Sequence, residues 1–254
     1  MIRVCLSGAG GRMGRQLTEL LLAADDLQLA AALEHPDHPD LGRELAPGVA
    51  LGAGPDTALS GCDVLLDFAL PAAVAAHAGP AADRGLALVS GTTGLDDRQQ
   101  AALRAAAERV AVVHGSNMSR GVHLLGELVR RAAAALGPEY DVEILEAHHR
   151  HKADLPSGTA WQLARSVEQV RGGAVVTDRA GRRQPGQIGI SALRGGDVVG
   201  EHQIHWLGGG EQLVLTHRAT SREHFCRGAL DAVRFAYGRA AGLYTMADVF
   251  GAGG

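Results

Sequence analysis

The stretch IRVCLSGAGGRMGRQLTELLLAA, residues 2–24, decides the fold. Residues 2–8 form a short apolar run ending in glycine and read as a buried strand. Behind it Leu17, Leu20, Leu21 and Ala24 recur at helical spacing, which predicts an amphipathic helix. The turn between them carries Gly8, Gly10, Gly11 and Gly14. At such a strand-to-helix turn glycine permits the tight bend, lets the backbone approach a pyrophosphate, and allows close helix–strand packing. The exposed N–H groups and positive end of the helix then attract phosphate. The spacing, Gly8-x-x-Gly11-x-x-Gly14, is a variant of the commoner fingerprint, and a plain tight turn accounts for the glycines alone about as well. The next element separates the two readings. LQLAAALE, residues 27–34, predicts a second strand ending in Glu34. That acid lies close to the roughly 20-residue spacing of the carboxylate that holds an adenine ribose.

The alternation continues outward. DVLLDF, LALVSG and VAVVHG read as strands, with helical segments between them. Repeated βα units predict a Rossmann-like, parallel, doubly wound α/β sheet over residues 1–118. Ligands gather at the carboxyl ends of such strands. Three small polar loops fall there: Phe68-Ala69, Gly91-Thr92-Thr93-Gly94 and Gly115-Ser116-Asn117-Met118. They suit a nicotinamide ribose, although ordinary turn chemistry explains each one singly.

Past Asn117 the pattern changes. A long helix is expected from Ser119, then a strand over residues 141–148, a helix from Gly158, and three strands separated by glycine-rich turns. Residues 119–221 are thus expected to form a second, α+β domain with a mixed or antiparallel sheet, and residues 222–254 to return to the first domain. Composition agrees with an ordinary folded chain that has enough apolar residues for a core. The chain has 254 residues, 46% hydrophobic, with a net charge of −4, which argues against a nucleic-acid surface. Cys5, Cys62 and Cys226 are far apart and suggest neither disulfides nor zinc. No run is long enough to span a membrane, and a reducing cytoplasm is expected.

EAHHRHKADLPSGTA, residues 146–160, carries the chemistry. Pro156-Ser157-Gly158-Thr159 places capping residues at a helix start, whose free N–H groups make an anion site suited to a carboxylate. His148, His149, His151 and Lys152 come from the loop just before it. Histidine titrates near neutrality, and lysine is a charge anchor or proton donor. The histidines lie too close together for ligands on one helix face, and no cysteine partners them, so no metal is expected. His151 is the one best suited to a structural part. A solvated basic loop is the plainer alternative, with Asp154 pairing Lys152 or capping the turn.

This run resembles the signature of the dihydrodipicolinate reductase family, also called 4-hydroxy-tetrahydrodipicolinate reductase, at every fixed position: Glu-x-His-His-x-x-Lys-x-Asp-x-Pro-Ser-Gly-Thr-Ala. GAGGRMGR, GTTG, IGISALRGGDVVGEH and GLYTMADV also look like the family, so the resemblance covers essentially the whole chain. It implies a nicotinamide cofactor, NADH, NADPH or both, on Gly8, Ala9, Gly10, Gly11, Arg12 and Met13, with Glu34 and His35 at the adenine ribose. Gly91, Thr92 and Thr93, with Gly115, Ser116, Asn117 and Met118, would hold the nicotinamide half. His148 would be a proton donor or acceptor and Lys152 the other proton donor. His149, Ser157, Gly158 and Thr159 would bind the carboxylates of a cyclic dicarboxylic substrate. The implied reaction is hydride transfer with loss of water to give tetrahydrodipicolinate, in diaminopimelate and lysine biosynthesis, by a homotetramer joined through the second sheet. Where many members have arginine after the acid, this chain has His35, which grips a 2′-phosphate less well than a guanidinium. NADH is therefore expected to serve at least as well as NADPH. Met118 and Arg120 also depart from the family. Two rivals remain at this level: another two-domain NAD(P)-dependent imine or amino-acid dehydrogenase, and a non-catalytic dinucleotide-sensing regulator. Neither accounts for residues 146–160.

Overall fold

The computed structural model describes residues 1–177 and 179–251. The expected C-terminal return therefore ends, at 252–254, outside the described residues. The chain divides into two compact units, one of Met1–Ser119 with the chain from Glu223, the other of Arg120–Arg222.

In chain order the first unit holds β1 (Ile2–Ser7), α1 (Arg12–Leu22), β2 (Leu27–Leu33), β3 (Glu44–Ala46), β4 (Val49–Gly52), α2 (Pro55–Ala58), β5 (Val64–Asp67), α3 (Pro71–Asp83), β6 (Ala87–Ser90), α4 (Asp97–Ala107) and β7 (Ala111–His114). The second holds α5 (Arg120–Ala135), β8 (Asp141–His148), α6 (Gly158–Arg171), β9 (Val175–Val176), β10 (Ile188–Arg194), β11 (Gly200–Leu207) and β12 (Gln212–Ala219). The chain then adds α7 (Glu223–Ala236), β13 (Gly242–Tyr244) and α8 (Met246–Gly251) to the first unit.

The first sheet runs β13-β7-β6-β5-β1-β2-β4-β3, and all its pairings are parallel except β3 with β4. This is the expected doubly wound α/β sheet. Strand order reverses between β1 and β5, so the turn after β1 sits at the topological switch point, where such folds bind ligands. Strand residues alternate between two cores. Val4, Leu6, Val64 and Leu66 face α1 and α7 through Leu17, Leu21, Ala229 and Val233. Cys5, Leu65, Leu88 and Val112 face α3 and α4 through Val74, Ala78 and Leu103. Each fully buried Leu or Val contributes roughly 1.5–3 kcal/mol, so helix periodicity and strand alternation together fix the layers. The hairpin β3–β4 and the edge strand β13 have no long apolar run, and sequence periodicity does not reveal them.

The second sheet is mixed, in the order β12-β11-β8-β10-β9. β10 runs parallel to β8 and β9, whereas β11 runs antiparallel to β8 and β12. Helices α5 and α6 cover one face, packing Leu125, Val129, Leu163 and Val167 on Val142, Ile144, Ile188, Ile204 and Trp206. No described helix is long and apolar enough to cross a membrane.

Candidate active site

The turn after β1 has little room for side chains. Gly8 has φ +80°, and a Cβ there would stand 2.5 Å from the Phe68 carbonyl oxygen. A Cβ on Gly14 would collide with the Gly8 carbonyl, and one on Gly10 would lie 2.7 Å from the His38 ring and 3.0 Å from Glu34 Oε2. Gly11 is the N-cap of α1, and no side chain caps that helix. A helix start with uncapped N–H groups and a bare backbone in front of it fits a pyrophosphate.

Glu34 follows the last residue of β2 and reaches back over the turn. Its Oε2 accepts from the Gly10 N–H at 2.9 Å and its Oε1 from the His35 N–H at 3.0 Å. A carboxylate has about four acceptor positions, so two remain for ribose hydroxyls. His35 is exposed. Its Nδ1 accepts from the Asp37 N–H at 3.2 Å and lies 3.6 Å from the Asp37 carboxylate. Ala9 is buried, Met13 is half-buried and packs on the core, and Arg12 is exposed.

The other two loops end β6 and β7. Gly91 lies under the Phe68 ring. Thr92 is buried, and its hydroxyl is turned inward, donating to Asp67 Oδ2 at 2.7 Å and lying 3.2 Å from the Ala69 carbonyl. Thr92 thus offers a ligand its backbone, whereas Thr93 is exposed. Gly115 donates to the Ser90 carbonyl at 3.1 Å. Ser116 is exposed, and Asn117 Oδ1 accepts from the Ser119 N–H at 2.9 Å. The Met118 side chain, 2% exposed, is part of the core with α7 and does not line the loop. Behind these loops lies a cluster that sequence spacing does not reveal. Asp67, 1% exposed, accepts from Thr92 and faces His77 Nδ1 at 3.9 Å; that nitrogen is also 3.2 Å from Ser7 Oγ.

In the second unit the polar groups are built into the core face of the sheet. On β8, Val142, Ile144, Glu146 and His148 all point to the side covered by helices. His202 shares that face of β11 with Ile204 and Trp206, and Arg194 shares that face of β10 with Ile188 and Ile190. The face is apolar at one end and charged at the other. Glu146 is fully buried and its carboxylate is saturated. Arg194 donates to both oxygens, at 2.9 and 2.8 Å, the Ser157 N–H donates to Oε1 at 3.0 Å, and His148 Nδ1 lies 2.5 Å from Oε2. Burial works to raise this carboxyl, but the bonds from His148, Arg194 and Ser157 outweigh it and hold it down at about 2.

Ser157 is the N-cap of α6, its Oγ accepting from the Ala160 N–H at 3.2 Å. The same Oγ is 3.2 Å from His202 Nε2. Burial, followed by the charge of His148, pushes the His202 imidazole down to about 4, so it is neutral at neutral pH. Its ring meets the His148 ring edge-on, centroids 5.2 Å apart. Lys152 Nζ pairs with Asp154 Oδ1 at 2.8 Å. Burial works to raise Asp154, and the Lys152 bond and charge bring it below the usual carboxylate range. Burial and then the nearby charges of Arg222, His148, His151 and Lys152 lower His149. Gly158 is exposed and Thr159 half-buried at the helix start. His151 is exposed, with its ring 6.3 Å from that of His149, whereas His148 and His202 are buried. No group of His, Cys, Asp or Glu among the described residues could hold a metal ion.

The structure thus joins His148, Ser157 and the start of α6 through Glu146, and joins Gly8, Gly10 and Glu34 through the turn. Sequence spacing missed Arg194 and His202, which lie on other strands. The available signal was an acid and a histidine in the core phase of alternating strands.

Fold and site together define an oxidoreductase that uses a nicotinamide dinucleotide. The N-terminal model of dihydrodipicolinate reductase matches residues 2–118 and the C-terminal model matches residues 121–250. The chain therefore belongs to the dihydrodipicolinate reductase family. A curated relative from Anaeromyxobacter sp. (strain Fw109-5), a 4-hydroxy-tetrahydrodipicolinate reductase, is 48% identical over 99% of this chain and 98% of its own. One of the same name from Nitrosomonas europaea is 42% identical over 98% of each. Among solved structures, dipicolinate-bound dihydrodipicolinate reductase from Paenisporosarcina sp. TG-14 superposes with a TM-score of 0.81 at 27% identity, covering 96% of this chain and 97% of that one. The amine dehydrogenase from Mycobacterium smegmatis, at 11% identity and a TM-score of 0.63 over 96% of this chain and 95% of its own, shares the fold.

Proposed function

We propose that the chain reduces 4-hydroxy-tetrahydrodipicolinate to tetrahydrodipicolinate, with NADH or NADPH as reductant and loss of one water, in the diaminopimelate route to lysine. The observation that carries this is the second-unit site: a capped helix start, an ammonium and a buried carboxylate-bound imidazole within one run of sequence. The first unit is the dinucleotide-binding domain. Residues 8–13 would hold the pyrophosphate, Glu34 the adenine ribose, and residues 91–93 with 115–118 the nicotinamide half. The cofactor, when bound, supplies the hydride.

The second unit binds substrate and sets up the protons. The first turn of α6, with Gly158 and Thr159, takes one carboxylate, and for the other His149 offers a ring N–H and Lys152 its positive charge. As negative charge develops on the ring, the Lys152 ammonium stabilises it, and His148 Nε2 and Lys152 Nζ are the atoms that give protons. A sensing regulator needs none of these donors. The residues beside Glu34 favour NADH: His35 already neighbours the Asp37 carboxylate, and Arg15 and Arg43 both lie 3.5 Å from Asp40. A 2′-phosphate would meet three carboxylates, with Arg15 and Arg43 already turned to one of them.

The uncovered face of the second sheet suits self-association into a tetramer. It carries Leu145, Leu193 and Val214 beside a polar ladder of Arg218, Glu201, Gln203 and His205. The cytoplasm is its expected place. The decisive experiment follows NADH and NADPH absorbance with substrate freshly made by the preceding synthase. Oxidation of both, with kcat/KM for NADH at least equal to that for NADPH, is expected. No oxidation of either defeats the reading, and a strong NADPH preference defeats the assignment at His35. Light scattering that gives a monomer mass would defeat the tetramer.

A further inference from the structure

We propose that Glu146, clamped by Arg194, is a positioning residue that fixes the tautomer of His148 and confines its proton exchange to Nε2. This rests on the assignment of His148 as a proton donor and extends it to two residues that act through its ring.

The geometry allows few alternatives. Glu146 is ionised, so its oxygens accept only, and all four acceptor positions are filled by Arg194 twice, Ser157 N–H and His148 Nδ1. An acceptor 2.5 Å from Nδ1 requires a hydrogen on that nitrogen in both the neutral and the charged ring. Nε2 is then the only position where a proton can arrive or leave. No hydrogen bond engages Nε2 among the described residues, and its edge faces Gly200 on β11, where a Cβ would stand 3.1 Å away. His202 does not compete as a donor, because it stays neutral and its Nε2 is taken up by Ser157.

A stability role alone does not account for this design. Removing two charges from water costs several kcal/mol per ion, and an apolar residue is often as stable in such a place. Position 146 is in phase with Val142 and Ile144, where an apolar side chain would fit the pattern. The same carboxylate instead ties together β10, the imidazole and the start of α6. That arrangement resembles the carboxylate–histidine pairs that hold one ring nitrogen so that the other can react.

The charged and titratable groups facing His148 are Glu146 on its own strand, Arg194 on β10, His202 on β11 with His217 behind it, and His149 and Lys152 on the following loop. Their layout gives opposite expectations for two substitutions. Glu146→Gln removes the negative charge beside the ring and leaves Arg194, so the imidazolium is destabilised. Arg194→Gln removes the positive charge and leaves Glu146, so it is stabilised.

The direct test is nitrogen NMR on the whole wild-type protein labelled at histidine, titrated from acid to alkaline pH. His148 is expected to carry its proton on Nδ1 in the neutral ring. A neutral ring protonated at Nε2 would overturn the proposal, and this reading needs no activity. In steady-state kinetics, Glu146→Gln is expected to lower kcat by roughly 10²-fold and to move the alkaline limb of the kcat profile to lower pH, with KM for NADH little changed. Arg194→Gln should move that limb to higher pH, and Glu146→Asp should recover part of the wild-type profile. Variants that fold and keep the wild-type limb while losing only thermal stability would show a purely structural pair. Failure of wild-type enzyme to oxidise NADH with substrate would instead count against the reaction itself.

Discussion

The two candidate sites, one in each unit, are made of different materials. In the first unit the candidate ligand surface is backbone: glycines 8, 10, 11 and 14 would contribute by having no side chain, and an uncapped helix start would supply the N–H groups. In the second the surface is side chain and charge, organised by a carboxylate deep in the sheet. A backbone site is damaged by adding atoms and a side-chain site by removing them. The first is also local in sequence, whereas the second draws on β8, β10, β11 and α6.

That contrast can be broken by substitution. The largest effect is expected in the second unit. Lys152→Ala or His148→Ala should lower kcat by roughly 10²–10⁴-fold, the usual share of a general acid, with the fold retained and NADH binding unchanged by calorimetry. Near-normal turnover in both variants would remove their assigned roles. The converse change is Gly14→Ala. Its added carbon strikes the Gly8 carbonyl, so NADH binding should weaken by about 10²-fold as the turn opens. Calorimetry showing a Kd within a few-fold of wild type would mean that the turn is no cradle.

Acid should affect the second unit specifically. His202 is held at about 4 against an ordinary 6.5, so the unfolded chain takes up the proton first. Stability is then lost as pH falls from about 6.5 toward 4, by on the order of 2 kcal/mol. Glu146, held at about 2 against 4.5, adds a further loss only below its ordinary value, as pH falls through the folded one. Urea unfolding from pH 7 to 4 measures the first window, and His202→Asn should flatten it; an unchanged slope would exclude His202 as the cause. The smallest effect sharpens the comparison at the helix start. Ser157→Ala removes a cap worth about 1 kcal/mol and should raise substrate KM modestly while leaving NADH binding alone.

The same contrast explains how far the sequence could be read. The doubly wound sheet follows from apolar runs alternating with helical periodicity, and the turn at residues 8–14 follows from local spacing. The start of α6 at Gly158 is likewise written in Ser157 and its neighbours. What escaped is what needs register. Arg194 stands opposite His148 and His202 opposite Glu146 only because β10 and β11 pair with β8 as they do. Met118 shows a related limit: its place in the loop after β7 does not reveal that its side chain turns into the core. The short pieces β3, β4, β9 and β13 carry too few apolar residues to signal themselves.

The path of the chain has a consequence for how the molecule is made. The second unit is one uninterrupted segment, while the first is completed by α7 and β13, which come after it. On the ribosome the later segment can therefore fold outright while the earlier one waits with part of its sheet bare, since α7 supplies Cys226, Ala229, Leu230, Val233 and Ala236 to cover it. Synthesis halted before Glu223 would release a finished sheet-and-helix module attached to a sticky, half-covered one. Such a fragment is a natural client for chaperones and proteases, and the cell would bind no dinucleotide with it until the missing helix was supplied.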